Sequence, residues 1–157
     1  ALKPYVQPSA RILDFGCGTG LSGLALRQAG FTTIDGLDIS APMLEKAQAR
    51  GLYANLWQGL PGEITGVTAG QYSVIVAAGV VSLGAAPPKT LSLILDCLAP
   101  GGFIGLSFND PTVAHGSYDA ILTQEISRGR VELLFRENGL HLQEPPMGSD
   151  VLILRRL

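Results

Sequence analysis

Asp14-Phe15-Gly16-Cys17-Gly18-Thr19-Gly20 sets an acid ahead of three alternating glycines. Glycines so placed allow a tight turn, a close approach of backbone to a ligand, and φ values that other residues avoid. An apolar run precedes the turn and a helical pattern follows it. The helix that opens there has N–H groups without internal partners. Asp14 restricts what the turn could hold, because a carboxylate repels a pyrophosphate and attracts an ammonium group. An ordinary strand-to-helix turn accounts for one glycine; three behind an acid point to a ligand. A literal G-x-G-x-x-G also stands at Gly18, Gly20 and Gly23. It matches the dinucleotide fingerprint, but the turn already begins at Gly16, and in that phase the third position is Leu21.

Asp38 follows Gly16 by 22 residues, at the end of a second apolar run. That spacing suits an acid that bonds a ribose diol. It also suits an acid placed at a helix N-terminus by the macrodipole. Ile39 and Met43 could flank an adenine face, although Met43 at helical spacing equally suits core packing. Cys17 lies beside a helix N-terminus, which can lower a thiol pKa, or it is a small residue that fits the turn. Trp57 either stacks near an adenine or closes the core. His115, in the polar segment 109–116, is the one candidate base, with a pKa suited to neutrality; a solvent-exposed loop histidine is the competing reading. Asp110 reads as a turn residue before proline, and His141 as an edge-strand surface residue.

These groups need elements to hold them. Short apolar runs predict strands over 11–15, 33–38, 72–81 and 102–108, a weaker one over 53–58, and a last one over 151–157 with 141–144 beside it. The runs at 72–81 and 102–108 are apolar at consecutive positions, as in strands buried on both faces. Helical patterns run from Leu21 to Gly30, from the capping residue Ser40 to Gly51, over 90–98, and over 118–137. Gly129 inside the last costs about 1 kcal/mol relative to Ala, which splits that helix into two pieces. Alternating strands and helices imply right-handed crossovers and a doubly wound, mostly parallel sheet. Ligands in such folds bind beyond the strand C-termini, at the point where strand order reverses.

With 157 residues, 46% of them apolar, the chain suits one domain over 1–157 with a real core. Only 15% of residues are charged, with a net charge of −2, which argues against intrinsic disorder. The eleven Lys and Arg form no basic run, so no nucleic-acid surface is expected. Two cysteines make no disulfide framework, and no Cys/His cluster suggests a metal. No apolar run reaches the ~18 residues of a membrane span, and the chain reads as soluble and cytoplasmic. It opens at Ala1 with its first strand pattern at Arg11, which leaves room for elements upstream.

The first motif and Leu37-Asp38-Ile39-Ser40-Ala41-Pro42-Met43-Leu44 with Ala47 resemble the class I S-adenosylmethionine-dependent methyltransferases. Tyr72-Ser73-Val74-Ile75-Val76-Ala77-Ala78 resembles the fourth strand of that family, and Leu98-Ala99-Pro100-Gly101-Gly102-Phe103 its turn before strand 5. The four motifs keep the family's order. The segments Gly30-Phe31, Asp35-Gly36-Leu37-Asp38 and Ala49-Arg50-Gly51-Leu52-Tyr53 are most similar to the Williams–Beuren-region methyltransferase-like group.

The resemblance implies a Rossmann-like α/β domain of about seven strands, with an antiparallel C-terminal edge hairpin and helices on both faces. It implies S-adenosyl-L-methionine as cofactor and S-adenosyl-L-homocysteine as product. Asp14 would sit near the methionine ammonium. Gly16, Cys17, Gly18 and Gly20 would present backbone. Asp38 would take the ribose, Ile39 and Met43 the adenine, and Ala78 the methionine end. Gln58 or the backbone at Leu60 would stand in for the acid that the family often carries after strand 3. Gly79 and Leu83 replace an acid and a histidine common on the family's substrate side. Methyl transfer from a sulfonium is a direct displacement driven by positioning; a base is needed only where the acceptor must lose a proton. The acceptor is expected to be a small molecule, held by the segment after strand 5 and by whatever precedes Ala1. A non-catalytic binding module and a NAD(P)-binding oxidoreductase domain are the alternatives.

Overall fold

The computed structural model describes residues 1–144 and 146–157, without the side chains of 141–143. The elements run β1 (Arg11–Phe15), α1 (Leu21–Gln28), β2 (Thr33–Asp38), α2 (Ala41–Ala49), β3 (Asn55–Gln58), β4 (Tyr72–Ala77), α3 (Thr90–Cys97), β5 (Leu98–Asn109), α4 (Asp110–His115), α5 (Ser117–Ser127), β6 (Val131–Gln143) and β7 (Pro146–Arg156). They form one seven-stranded sheet in the order β3-β2-β1-β4-β5-β7-β6. The first five strands are parallel; β7 runs antiparallel to both β5 and β6. Strand order reverses between β1 and β4, so the crevice beyond their C-termini is the expected ligand position.

The sheet is covered on both faces. On one, Ile75, Ile104, Leu152 and Leu154 pack with Leu91, Ile94 and Leu95 of α3 and with Tyr118 and Leu122 of α5. On the other, Ile12, Ile34, Val74 and Ile153 pack with Leu26 of α1 and with Leu2 and Val6. Each such buried side chain contributes about 1.5–3 kcal/mol. Beneath the sheet, at the end opposite the crevice, the buried Asp35 ties four strands together. It accepts from Arg11, from Asn55 Nδ2 at 2.8 Å and from the Tyr72 hydroxyl at 2.7 Å. Burial pushes its carboxyl up, but those hydrogen bonds prevail and hold it below the usual range.

The helix expected over 118–137 ends at Ser127; residues 128–130 turn, and from Val131 the span is strand. Gly129, at φ +67°, terminates α5. Its N–H reaches Ile126 O at 2.9 Å, and the Arg130 N–H reaches Glu125 O at 3.1 Å. This is a Schellman closure. Beyond it β6 pairs with β7 along its length, with irregularities between Leu133 and Phe135 and between Leu140 and Leu142. Asn138-Gly139 therefore lies inside a strand. The segment expected as a loop at 109–116 is mostly α4, whose capping residue Asn109 accepts the Thr112 N–H at 3.0 Å. Asp110 opens that helix rather than a turn, and its carboxylate accepts the Gly148 N–H at 2.7 Å. β5 begins four residues before the expected strand because Leu98 already pairs with Tyr72; residues 99–102 then bulge before Phe103 meets Val74. The expectation for the His141 side chain falls outside the described residues.

Candidate functional site

The glycine turn leaves β1 at the crevice. Gly16, Gly18 and Gly20 have φ of +69°, +52° and +86°, which L side chains adopt only under strain. The N–H groups of Gly16 and Cys17 both donate to Leu37 O of β2, at 2.7 and 3.1 Å. Val80, in the segment after β4, leans on the turn so closely that a Cβ at Gly16 would lie 2.3 Å from it.

Asp38 sits half-buried at the tip of β2. Its Oδ2 accepts the Gly18 N–H at 2.8 Å and its Oδ1 the Ser40 N–H at 2.8 Å. Ser40 occupies the capping position of α2 but makes no side-chain cap; the bond to Asp38 serves its backbone instead. Each carboxylate oxygen has lone-pair capacity beyond one bond, so Asp38 can hold the turn and accept from a ligand as well.

Asp14 is fully buried under the turn. Its Oδ2 accepts from Ser22 Oγ at 2.6 Å and from the Tyr53 hydroxyl at 2.7 Å, while Oδ1 has no partner. Burial pushes the carboxyl up, and the two hydroxyl donors pull it partly back. An orphaned buried oxygen is costly; Asp14 itself lines none of the cavities beside the turn. Cys17 is buried, and its thiol is pushed up to about 12 by that burial and by the charges of Asp14 and Asp38. The lowered thiol pKa considered for the turn is thus reversed: desolvation and two carboxylates outweigh the helix N-terminus.

Two cavities open beside the turn. The first, of about 430 Å³, is bounded by Asp38, Ile39, Met43, Leu60, Glu63 and Val80 among others. The second, of about 480 Å³, meets Cys17, Gly18, Leu21, Ser22, Ala78 and Ser107. Both touch Gly16 and Met43. Ile39, Met43 and Leu60 are 56%, 46% and 57% exposed. Met43 is therefore not core, and the three form an apolar rim around the first cavity.

Other predicted residues are placed elsewhere. The Gln58 amide donates to Ile39 O at 2.9 Å, and Gln58 lines neither cavity. The Leu60 N–H is taken by Thr65 Oγ1 at 3.1 Å, so Leu60 offers its side chain rather than its amide. Gly20 begins α1 just outside the lining. Trp57 packs against the core and donates to Thr65 O at 2.9 Å. His115 is exposed at the end of α4, with Nδ1 2.8 Å from Ser117 Oγ, and lines neither cavity. Among the described residues no group of three His, Cys, Asp or Glu is arranged to hold a metal, and no helix is long and apolar enough to cross a membrane.

A family model described as a methyltransferase domain matches residues 1–143. The chain belongs to the methyltransferase domain family. This methyltransferase domain is 39% identical over 105 residues to human methyltransferase-like protein 27, a match covering 66% of the chain and 42% of that protein. That relative stands in the Williams–Beuren-region group that the sequence resembles. A ribosomal protein L11 methyltransferase from Burkholderia thailandensis is 30% identical over 109 residues, covering 68% of the chain and 34% of that protein. The methyltransferase domain thus spans less than half the length of either relative. Its fold matches that of a SAM-dependent methyltransferase from Methanosarcina mazei, with TM-score 0.77 and 16% identity, over 99% of this chain and 96% of that one. The class I methyltransferase architecture expected from the motifs is therefore the observed one, and family membership takes the place of the nicotinamide alternative.

The sequence gives neither Ser22 nor Tyr53 a role at the site. Ser22 is one of many serines at a helix start, and Tyr53 lies in the connection between α2 and β3. Glu63, which lines the first cavity, also escapes notice, because its connecting segment carries no periodicity.

Proposed function

We propose that this domain binds S-adenosylmethionine across the two adjoining cavities and carries its methyl group to a small-molecule acceptor, leaving S-adenosylhomocysteine. One observation carries the reading: three large apolar side chains, Ile39, Met43 and Leu60, stay exposed around a cavity that also meets the Asp38 carboxylate. An apolar rim beside an acid is what an adenosine needs. Asp38 accepts the ribose hydroxyls. Glu63 is the acid on the adenine side, the place the sequence left to Gln58 or Leu60. The turn at Gly16, Cys17 and Gly18 brings backbone against the ligand, Asp14 meets its ammonium, and Ala78 lines the methionine end. When bound, the ligand supplies an electrophilic methyl whose leaving thioether is neutral and needs no proton.

The residues of the domain therefore position and desolvate. A rigid turn, pinned by Asp38 from one side and Val80 from the other, fixes the ligand against the second cavity; such alignment is worth up to ~7–11 kcal/mol. None of the described residues lining that second cavity is charged.

Calorimetry with S-adenosylmethionine and S-adenosylhomocysteine, with NADH as control, tests the reading. Binding of the two sulfur ligands alone is expected. NADH binding, or no binding at all, overturns it. A methyl-donor assay with mixed metabolites then separates an enzyme from a binding module: protein-dependent product in the small-molecule fraction is expected, and its absence favours the module.

A further inference from the structure

Tyr53 alone excludes a side chain at Gly23, and it shares that role with Leu56 at Gly36 and with Arg50 and Ala47 at Gly20. A Cβ added at Gly23 would lie 2.3 Å from the Tyr53 hydroxyl, one at Gly36 2.9 Å from its Cδ1, and one at Gly20 3.3 Å from its Cε2. These glycines belong to three places: the start of α1, its body and the middle of β2. Gly23 is the residue that completed the literal G-x-G-x-x-G, and its neighbour here is a tyrosine ring. The slot would hold a phenylalanine ring equally well, so the hydroxyl needs its own account. It reaches Asp14 Oδ2 at 2.7 Å, beside Ser22 Oγ at 2.6 Å.

We propose that Tyr53, with Ser22, is a positioning residue that holds Asp14 as a single-minded selector for ligands carrying a free α-ammonium group. The inference rests on the reading of Asp14 as the partner of the ligand's ammonium. Two donors on Oδ2 fix the carboxylate and favour its charged form, leaving Oδ1 as the oxygen with open capacity. Asp14 lies behind the wall of the second cavity rather than in its lining, and is bonded to that wall through Ser22. The Tyr53 hydroxyl stays a donor, because burial and the neighbouring Asp14 charge push its pKa far up. Loss of that hydroxyl removes one of two bonds to the charged carboxylate. The cost falls on the amino-acid half of the ligand and spares the adenosine half.

The two halves can be read separately. S-adenosylhomocysteine carries the ammonium; 5′-methylthioadenosine has the same nucleoside and sulfur without the amino acid. Calorimetry of both ligands on wild type, Tyr53→Phe and Ser22→Ala tests the proposal. Tyr53→Phe is expected to weaken S-adenosylhomocysteine about tenfold and to leave methylthioadenosine within about twofold. The pH at which acid abolishes S-adenosylhomocysteine binding should move upward in the variant. Besides Tyr53 and Ser22, Asp14 faces Cys17 of the turn and the Asp38 charge, and both remain in place. Equal weakening of the two ligands, or no weakening of either, overturns the proposal and leaves the cofactor reading standing. Wild type that binds neither ligand overturns both. Should Tyr53→Phe fail to fold, Ser22→Ala must show the same split between ligands, and a uniform effect there is equally fatal.

Discussion

The Asp38 carboxylate accepts the Gly18 N–H at 2.8 Å, tying the tip of β2 to the glycine turn that leaves β1. The same carboxylate holds the first residues of α2 through Ser40. Asp38→Ala therefore loosens the turn and removes the ribose partner together. S-adenosylhomocysteine binding should weaken by about 1–3 kcal/mol, the worth of charged hydrogen bonds. Calorimetry checks this, and unchanged affinity would remove Asp38 from the site.

Asp14 sets stability against binding. Its carboxyl is raised by burial, so the folded state holds the proton more tightly than the unfolded chain does. The stability it confers is present below the unfolded pKa and is lost as pH rises through the folded one. At neutral pH the buried charge is a net cost. Asp14→Asn should consequently keep or raise the thermal midpoint at pH 7 while S-adenosylhomocysteine affinity falls. Thermal melts with and without ligand read both effects, and a variant that melts lower yet binds normally contradicts the assignment.

Asp35 has the opposite sign. Its carboxyl is held low by Arg11, Asn55 and Tyr72 against the pull of burial. The stability it contributes is present above the unfolded value near ~3.9 and disappears as pH falls through its folded value. Tyr72→Phe should cost about 1 kcal/mol and shrink the loss of stability on acidification, with ligand affinity untouched. Urea titrations at pH 7 and pH 3 measure the difference.

Cys17 should resist alkylation. Its thiol is buried and raised to about 12, and the thiolate is the reactive form. Iodoacetamide at pH 8 is expected to leave Cys17 unlabelled in the native protein and to label it after unfolding, as read by peptide mass spectrometry. Rapid native labelling would show that the turn opens.

Much was legible before any coordinates. Strands β4 and β5 follow from runs that are apolar at consecutive positions, because a parallel strand buried on both faces is nearly continuously apolar. The second half of the 118–137 pattern misleads, since Leu133 and Leu134 extend a helical pattern as readily as they fill a strand. Pairing with β7 settles that choice, and a single chain segment carries no record of its distant partner.

The sequence by itself determined the alternation of strands and helices from β1 to β5, the glycine turn and the two acids, because each depends on residues adjacent along the chain. Only the tertiary structure decided what those acids do. Asp14 becomes a buried carboxylate with one orphaned oxygen because Ser22 and Tyr53 arrive from α1 and from beyond α2. The Cys17 thiol is pushed up because burial, and after it the charges of Asp14 and Asp38, act on it. Charge, burial and hydrogen-bond capacity are set by neighbours in space, and for these groups the neighbours come from other elements of the chain.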